Sequence, residues 1–592
     1  MKSLSLAAAF LAAVSSVSAH DHPGKGPKPG HPHKPPHHAH PVKIKVKNHG
    51  GNATSGHQYG FLHEDINNSG DGGIYAELIR NRAFQYSESY PVSLSGWTPF
   101  NGANLALNRL DTPLSEALPV SVTVSPGPSD NSSLHAEDRI GLVNDGYWGM
   151  HVAQQTYTGS FWVYGGYDGV FTAELRSGIE EDVVFGSVEV ESQATEGEWV
   201  EHTFELEPTV DAPNSNNTFA LTFDPAGLTD DSLDFNLISL FPPTYKGRKN
   251  GLRKDIAEAL AELHPFICGP ADSKWGSRRA ELGHPEPFPL RYVEVGNEDW
   301  LAGGEEGWQS YKDYRFPLFL EAINAAYPDI TVISSGATSD GYEDIPAPAI
   351  GDYHPYREPD SLVEEFNRFD NDIGHIVGEV AATHPNGGIG WDGELMEYPW
   401  WIGTVGEAIS MIGYERNADR IPATFYAPVL RSLDRWQWAV TILQFAADPK
   451  LTTRSTSWHL WELFAAHPMT HTLPATSDFD PLFYVAGRNK DKGSHIWKGA
   501  VYNTTNHEDV PVHLSFDGVK PGTKAALTVL TNNVGDPYAY NDPHTGVNIV
   551  DRTTTILKAG KKGTFEFELP ELSIAVLDTD KKHVDDCERR IV

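Results

Sequence analysis

Arg291-Tyr292-Val293-Glu294-Val295-Gly296-Asn297-Glu298 is an apolar run that stops on a glycine, an amide and a carboxylate. A β-prone run closed in this way predicts a strand, and the apolar spacing of residues 308–327 behind it predicts a helix. The alternation continues downstream. Residues 330–336 and 350–354 read as strands, 362–369 as helical, 375–379 as a strand before a long helix around 404–413, and 455–461 as a closing strand. Repeated βα alternation predicts a parallel sheet, open or closed into a barrel. Upstream, residues 60–67 read as the first strand, and after the glycine turn at 70–73 the spacing of residues 74–82 predicts the first helix. Residues 248–263 give a further helix with Leu252, Ile256, Ala257, Leu260 and Leu263 on one face.

The flanks have a different texture. Between about residues 95 and 241 the chain runs in short alternating stretches such as Val120-Ser121-Val122-Thr123-Val124 and Phe219-Ala220-Leu221-Thr222-Phe223, separated by Gly, Pro, Asn and Asp. Regular short strands with turn signals predict a β-sandwich, for which a carbohydrate-binding role and a structural role both stay open. Short β runs return from about residue 472, predicting a terminal β-sandwich that the strand at 42–46 joins. The fold class read from sequence is therefore α/β plus all-β. Its expected segments are a signal peptide (1–19), a leader (20–41), a joining strand (42–57), a first βα unit (58–94), an inserted sandwich (95–245), the rest of the barrel (246–471), a C-terminal sandwich (472–580) and a charged tail (581–592).

Composition narrows the partners. The 592 residues carry a net charge of −35, which repels nucleic acid and anionic membrane and favours a neutral polymer. Lys2, the apolar stretch 4–14 and Val17-Ser18-Ala19 form a secretory signal, so the expected location is extracellular. No later stretch is long and apolar enough to span a membrane. Residues 20–41 hold seven histidines among Pro, Gly and Lys and read as a flexible leader. Asn-x-Ser/Thr triplets at Asn52, Asn67, Asn131, Asn216 and Asn503 are glycosylation candidates. Two cysteines, Cys268 and Cys587, make no disulfide framework. Nothing resembles a zinc-ligand cluster or phosphate loop, so neither a metal nor an organic cofactor is expected.

Two glutamates each end an apolar strand: Glu298, and Glu379 in Val377-Gly378-Glu379. They stand 81 residues apart, which at roughly 27 residues per βα unit places them three strands apart on one barrel mouth. Glycosidic cleavage needs such an opposed pair, one carboxyl to protonate the leaving oxygen and one to act at the anomeric carbon. Asn297 is placed to bond a sugar hydroxyl. From spacing alone, ordinary strand-end carboxylates explain the pair equally well.

Gly-Asn-Glu after an apolar strand resembles the acid/base signature of the retaining barrel glycosidases. The run from Glu64-Asp65-Ile66-Asn67 through Ile79-Arg80-Asn81-Arg82-Ala83-Phe84-Gln85, with Gly283-His284-Pro285-Glu286-Pro287-Phe288 and Gly413-Tyr414-Glu415-Arg416-Asn417, resembles the fungal-type α-L-arabinofuranosidases of glycoside hydrolase family 51. The resemblance covers most of residues 43–580. It implies a (β/α)8 barrel with a sandwich inserted between its first strand and helix, and retaining, exo-acting release of arabinofuranose from arabinoxylan or arabinan of plant cell walls. Carried over by motif, Glu298 is the general acid/base, Glu379 the nucleophile, and Asn297 and Glu64 substrate-binding residues. His354 and Tyr356 match the family's His-x-Tyr, whose tyrosine positions the nucleophile.

One stretch departs from the pattern. Only 27 residues, 264–290, separate the helix ending at Leu263 from Arg291, whereas two βα units need roughly 50–60. The family's Arg-x-Pro-Gly-Gly-Asn segment has no counterpart, and Cys268 lies where it belongs. The barrel is thus expected to lack about two βα units. This leaves a second reading, a catalytically impaired carbohydrate-binding protein, and a third, an endo-acting glycanase of the same clan.

Overall fold

Strands Tyr292–Val295 and Thr331–Ser334 pair in parallel, Tyr292 opposite Thr331. Ile333 bridges in parallel to Ile350, Gly351–Asp352 to His375–Ala382, His375–Ala382 to Thr424–Tyr426, and Thr424–Tyr426 to Tyr59–Phe61. This continuous parallel path is the scaffold of the site. It is seen in a computed structural model that describes residues 41–591 except 57, 63–69, 86–90, 128–138, 181, 262–290, 302–303, 388–392, 478 and 505–506. The signal and leader expectations, Glu64, Cys268 and the shortened stretch 264–290 therefore lie outside the described residues.

His375–Ala382 is buried along its whole length, as a parallel strand covered on both faces must be. At the junction of Tyr59–Phe61 with Thr424–Tyr426, a β-carbon on Gly60 would lie 2.4 Å from the Phe425 ring, so only glycine lets these strands pair. Helix Trp401–Arg416 is buried on all sides up to Glu415. That marks a core helix enclosed by protein, and its Glu407 carboxylate accepts the Ala382 N–H at 2.9 Å, pinning the end of the strand that carries Glu379. Burial pushes the Glu407 carboxyl up to about 7.

Two elements differ from the sequence reading. Residues 455–461 are not a strand: the Ser455 hydroxyl accepts the Trp458 N–H and caps helix Thr456–Ala466. Leu460, Trp461, Leu463 and Phe464 pack inward at helical spacing, and a Ser cap followed by that period outweighs the β preference of Thr and Trp. The last strand of the parallel path is instead Thr424–Tyr426. Residues 74–82 are not a helix either. Asn81 and Phe84 take φ of 54° and 49°, and the Leu78 N–H bonds Leu240 O at 3.0 Å. Buried Glu77 accepts from the Ile79 and Leu240 N–H groups at 3.0 and 2.8 Å and from the Ser239 hydroxyl at 2.5 Å. Bonding to the neighbouring β domain replaces the helical ladder. The first α-helix along the described chain, Lys254–Ala261, begins six residues later than the 248–263 reading, whose last two residues lie outside the described ones.

Between Trp97 and Phe241 two five-stranded antiparallel sheets face each other. Phe161, Phe171, Phe219, Leu221, Phe223 and Phe235 fill the space between them, with Phe161 and Phe171 edge to face at 5.2 Å. Toward the C-terminus a four-stranded and a six-stranded sheet pack together. Val42–Val46 lies in the smaller, parallel to Val510–Phe516 with Ile44 opposite Leu514. The charged segment at the end is a helix, Lys581–Ile591, with Val584 buried and the Cys587 sulfur 3.7 Å from His583 Nε2.

Candidate active site

The turn after Tyr292–Val295 is built to throw one carboxylate inward. Gly296 has φ +94° and Glu298 φ +48°, and a β-carbon on Gly296 would sit 2.0 Å from an Asp299 oxygen. Buried Asp299 holds the turn through Arg315 Nη1 at 2.9 Å and the Ser335 hydroxyl at 2.9 Å. The Tyr311 hydroxyl donates to Val295 O and accepts the Ser335 N–H, tying the strand to the next one. Trp300 meets the His354 ring edge-on at 5.7 Å. Asn297 is exposed on the same turn.

Glu298 and His354 follow the carboxyl ends of Tyr292–Val295 and Gly351–Asp352. Tyr356 joins them beside Glu379, which lies three residues before the end of His375–Ala382 and does not close its strand as the sequence reading had it. His354 Nδ1 lies 2.7 Å from Glu298 Oε1 and 3.6 Å from Glu379 Oε2, and the Tyr356 hydroxyl donates to Glu379 Oε2 at 2.5 Å. One oxygen from each glutamate and a His354 nitrogen all lie within 4.8 Å of one another. On its other edge His354 Nε2 is 2.8 Å from Asp352 Oδ2, and Asp352 Oδ1 accepts the Gly378 N–H at 2.8 Å. Asp352 in turn shares a hydrogen bond with Glu294.

The electrostatics follow from this packing. Burial alone would depress the His354 imidazole, but bonds to Asp352 and Glu298 and the charges of Asp352 and Glu379 lift it to about 11. It is therefore an imidazolium at neutral pH, donating from both nitrogens. Burial raises the Glu379 carboxyl, opposed first by the His354 charge and then by the Tyr356 hydrogen bond. Crowding by the surrounding protein and then the Asp352 charge push Glu294 up to about 9, although its strand is solvent-exposed at that residue. The two carboxylates and the histidine lie within metal-ligand spacing, and the same arrangement suits proton transfer at the two carboxyls.

The sequence reading passed over Asp352 and Glu294. A signal was present: each is an acidic residue inside an apolar strand, in Val293-Glu294-Val295 and Ile350-Gly351-Asp352, and burial of Asp352 demands a partner. Of the glycosylation candidates, Asn52, Asn216 and Asn503 are exposed, with the Asn52 amide donating to Asp419 at 2.6 Å. Asn67 and Asn131 lie outside the described residues.

Two carboxyls facing each other on parallel strands, one against an imidazole and one against a tyrosine hydroxyl, are an arrangement that can cleave a glycosidic bond, the chemistry of a glycoside hydrolase. The family model of the alpha-L-arabinofuranosidase 1 domain matches residues 243–373, and that of the alpha-L-arabinofuranosidase C-terminal domain matches residues 382–573. The alpha-L-arabinofuranosidase A of Aspergillus kawachii is 31% identical over 646 aligned positions, covering 91% of this chain and 96% of the relative. That of Aspergillus niger is 30% identical with the same shares. Among solved structures, an arabinose-bound MgGH51 α-L-arabinofuranosidase superposes with a TM-score of 0.76 at 27% identity, covering 91% of this chain and 99% of that one. The chain belongs to the α-L-arabinofuranosidase A family. The alignment of 646 positions is longer than the 592 residues here, so the Aspergillus kawachii relative carries segments that this chain lacks.

Proposed function

We propose that this protein is a retaining, exo-acting α-L-arabinofuranosidase that releases terminal arabinofuranose from arabinoxylan or arabinan of plant cell walls. The observation that carries the reading is the approach of Glu298 and Glu379 oxygens to within 4.8 Å, with His354 between them. Retaining enzymes hold their carboxyls about 5–5.5 Å apart, whereas inverting ones leave room for a water at about 6.5–9.5 Å. In the first step Glu379 attacks the anomeric carbon, the glycosidic C–O bond breaks, and the departing oxygen takes the proton of Glu298. In the second, Glu298 takes a proton from water, whose oxygen attacks the same carbon and frees Glu379. The His354 charge favours ionised Glu379 for the first step, and its Nδ1–H faces the Glu298 carboxylate that acts as base in the second. Tyr356 orients Glu379. Asn297 and Glu64 bind sugar hydroxyls.

The protein is secreted after loss of residues 1–19 and carries glycans at exposed triplets such as Asn216 and Asn503. The segments absent relative to the Aspergillus protein include the second and third βα units of the barrel, between Leu263 and Arg291. A non-catalytic binding protein is not favoured, since a vestigial pair needs neither the His354 nor the Tyr356 contact. Release of 4-nitrophenol from its α-L-arabinofuranoside by the whole chain, lost in Glu379→Ala, is the expected result. No release by folded wild-type protein overturns the reading.

A further inference from the structure

Beyond the catalytic carboxylates, the segment Leu433-Asp434-Arg435-Trp436-Gln437-Trp438 leads outward from the site. At its inner end Trp438 packs against Tyr356, ring centroids 4.9 Å apart, and Tyr356 is the residue that donates to Glu379. Two residues earlier stands Trp436, 42% exposed. Two residues of chain span at most about 7 Å, so Trp436 lies within about one sugar ring of Trp438.

An exposed tryptophan on a loop is usually free to turn, but this one is seated. The Arg431 guanidinium lies 4.0 Å from the centre of its ring. Arg431 is itself 1% exposed and is fixed by donating from Nη1 to Glu397 O and to Ala439 O, the latter at 2.7 Å. Its planar group also lies 4.8 Å from the ring of Tyr398, which stacks on Tyr540 at 4.9 Å. An indole held against a buried cation in a residue 42% exposed makes a fixed flat apolar surface two residues from Trp438. Burying an arginine costs stability, and that cost makes sense where the ring above it has to stay in place.

We propose that Trp436 is the stacking platform for the sugar that carries the scissile arabinofuranose, so that it sets preference for polymer-borne over free arabinosides. The occupant is a pyranose or furanose ring of a neutral polysaccharide, whose C–H face lies on the indole. This rests on the proposed activity, and the test separates the two. Arabinose release is measured from arabinoxylan, from arabinan and from methyl α-L-arabinofuranoside, whose aglycone is too small to reach the platform. In Trp436→Ala, kcat/KM for at least one of the two polymers is expected to fall about tenfold through KM, with methyl arabinofuranoside unchanged and Trp436→Phe recovering part of the loss. An equal fall on all three substrates, or no fall on either polymer, overturns the platform. If wild type hydrolyses none of the three, the proposed activity fails and not the platform alone; binding of Trp436→Ala and wild type to insoluble arabinoxylan then decides the platform, equal retention overturning it.

Discussion

Asp352 holds His354 with one oxygen and the strand of Glu379 with the other: Oδ2 lies 2.8 Å from His354 Nε2, and Oδ1 accepts the Gly378 N–H at 2.8 Å. One buried carboxylate thus fixes the charge state of the histidine between the two glutamates and the position of the strand that carries one of them. Asp352→Asn removes the charge and one acceptor that lift His354 to about 11. The imidazolium then loses its proton at lower pH, and Glu379, whose raised carboxyl is held down first by the His354 charge, rises further. Activity requires ionised Glu379 and is lost as pH falls through that value, so the acid limb of the kcat/KM profile moves to higher pH. At neutral pH the loss is about 10- to 100-fold, the worth of one charge-assisted hydrogen bond. An acid limb left in place would show that Asp352 has only a structural part.

Gly378 makes this arrangement sterically possible. A β-carbon there would lie 2.4 Å from both Asp352 oxygens. Gly378→Ala must therefore drive the carboxylate away from His354, and it should reproduce the pH shift of Asp352→Asn with a stability cost of about 1–3 kcal/mol from overpacking. Because both variants break one linkage, Gly378→Ala adds little to kcat/KM once Asp352 is Asn. Full additivity in a double-mutant cycle would separate them.

What the sequence disclosed was what strand period and terminal residues encode. Gly296-Asn297-Glu298 marks a strand end in one dimension, whereas Glu379 stands three residues before the end of its strand, and the parallel pairings bring both glutamates to one place. Ser455–Trp461 misled because Thr and Trp suit strands, and the decisive feature was a capping hydroxyl bonded to Trp458 N–H, a contact that exists only once the turn has formed. Residues 74–82 misled for the opposite reason. Their helical spacing is real, but Glu77 finds its donors on Ser239 and Leu240, more than 160 positions away. Asp352 and Glu294 stayed hidden because their bond to each other and the Asp352 bond to the Gly378 N–H join different strands, which no local pattern pairs, although His354 stands two residues from Asp352.

The two glutamates have separable roles that small anions can report. In Glu298→Ala, an aryl arabinoside with a good leaving group still forms the Glu379 ester, and azide should speed its breakdown to an α-arabinosyl azide with retained configuration. In Glu379→Ala, azide takes the place of the missing nucleophile directly and gives the β-anomer. The anomeric configuration is read by NMR. The reverse pattern of anomers would exchange the two assignments.

The parallel strands and the C-terminal sheets are joined by a buried ion pair whose removal tests how much this junction supports the fold. Lys498 Nζ is fully buried, 2.7 Å from Glu415 Oε1, and donates also to the Tyr59 hydroxyl at 3.0 Å and to Phe464 O at 3.1 Å. Burial lowers the lysine from its usual range, and the Glu415 charge opposes that. Tyr59 begins the strand paired with Thr424–Tyr426, Glu415 closes the central helix, and Lys498 belongs to a strand of the C-terminal sandwich. Glu415→Gln strands a buried ammonium and should cost about 3–5 kcal/mol in urea unfolding, whereas Lys498→Met with Glu415→Leu replaces both charges by apolar bulk and should recover most of it. Tyr59→Phe, which removes one acceptor and leaves the ion pair, is expected to cost about 1 kcal/mol. If the double variant were as unstable as Glu415→Gln, the four-way contact and not the stranded charge would be what the junction depends on.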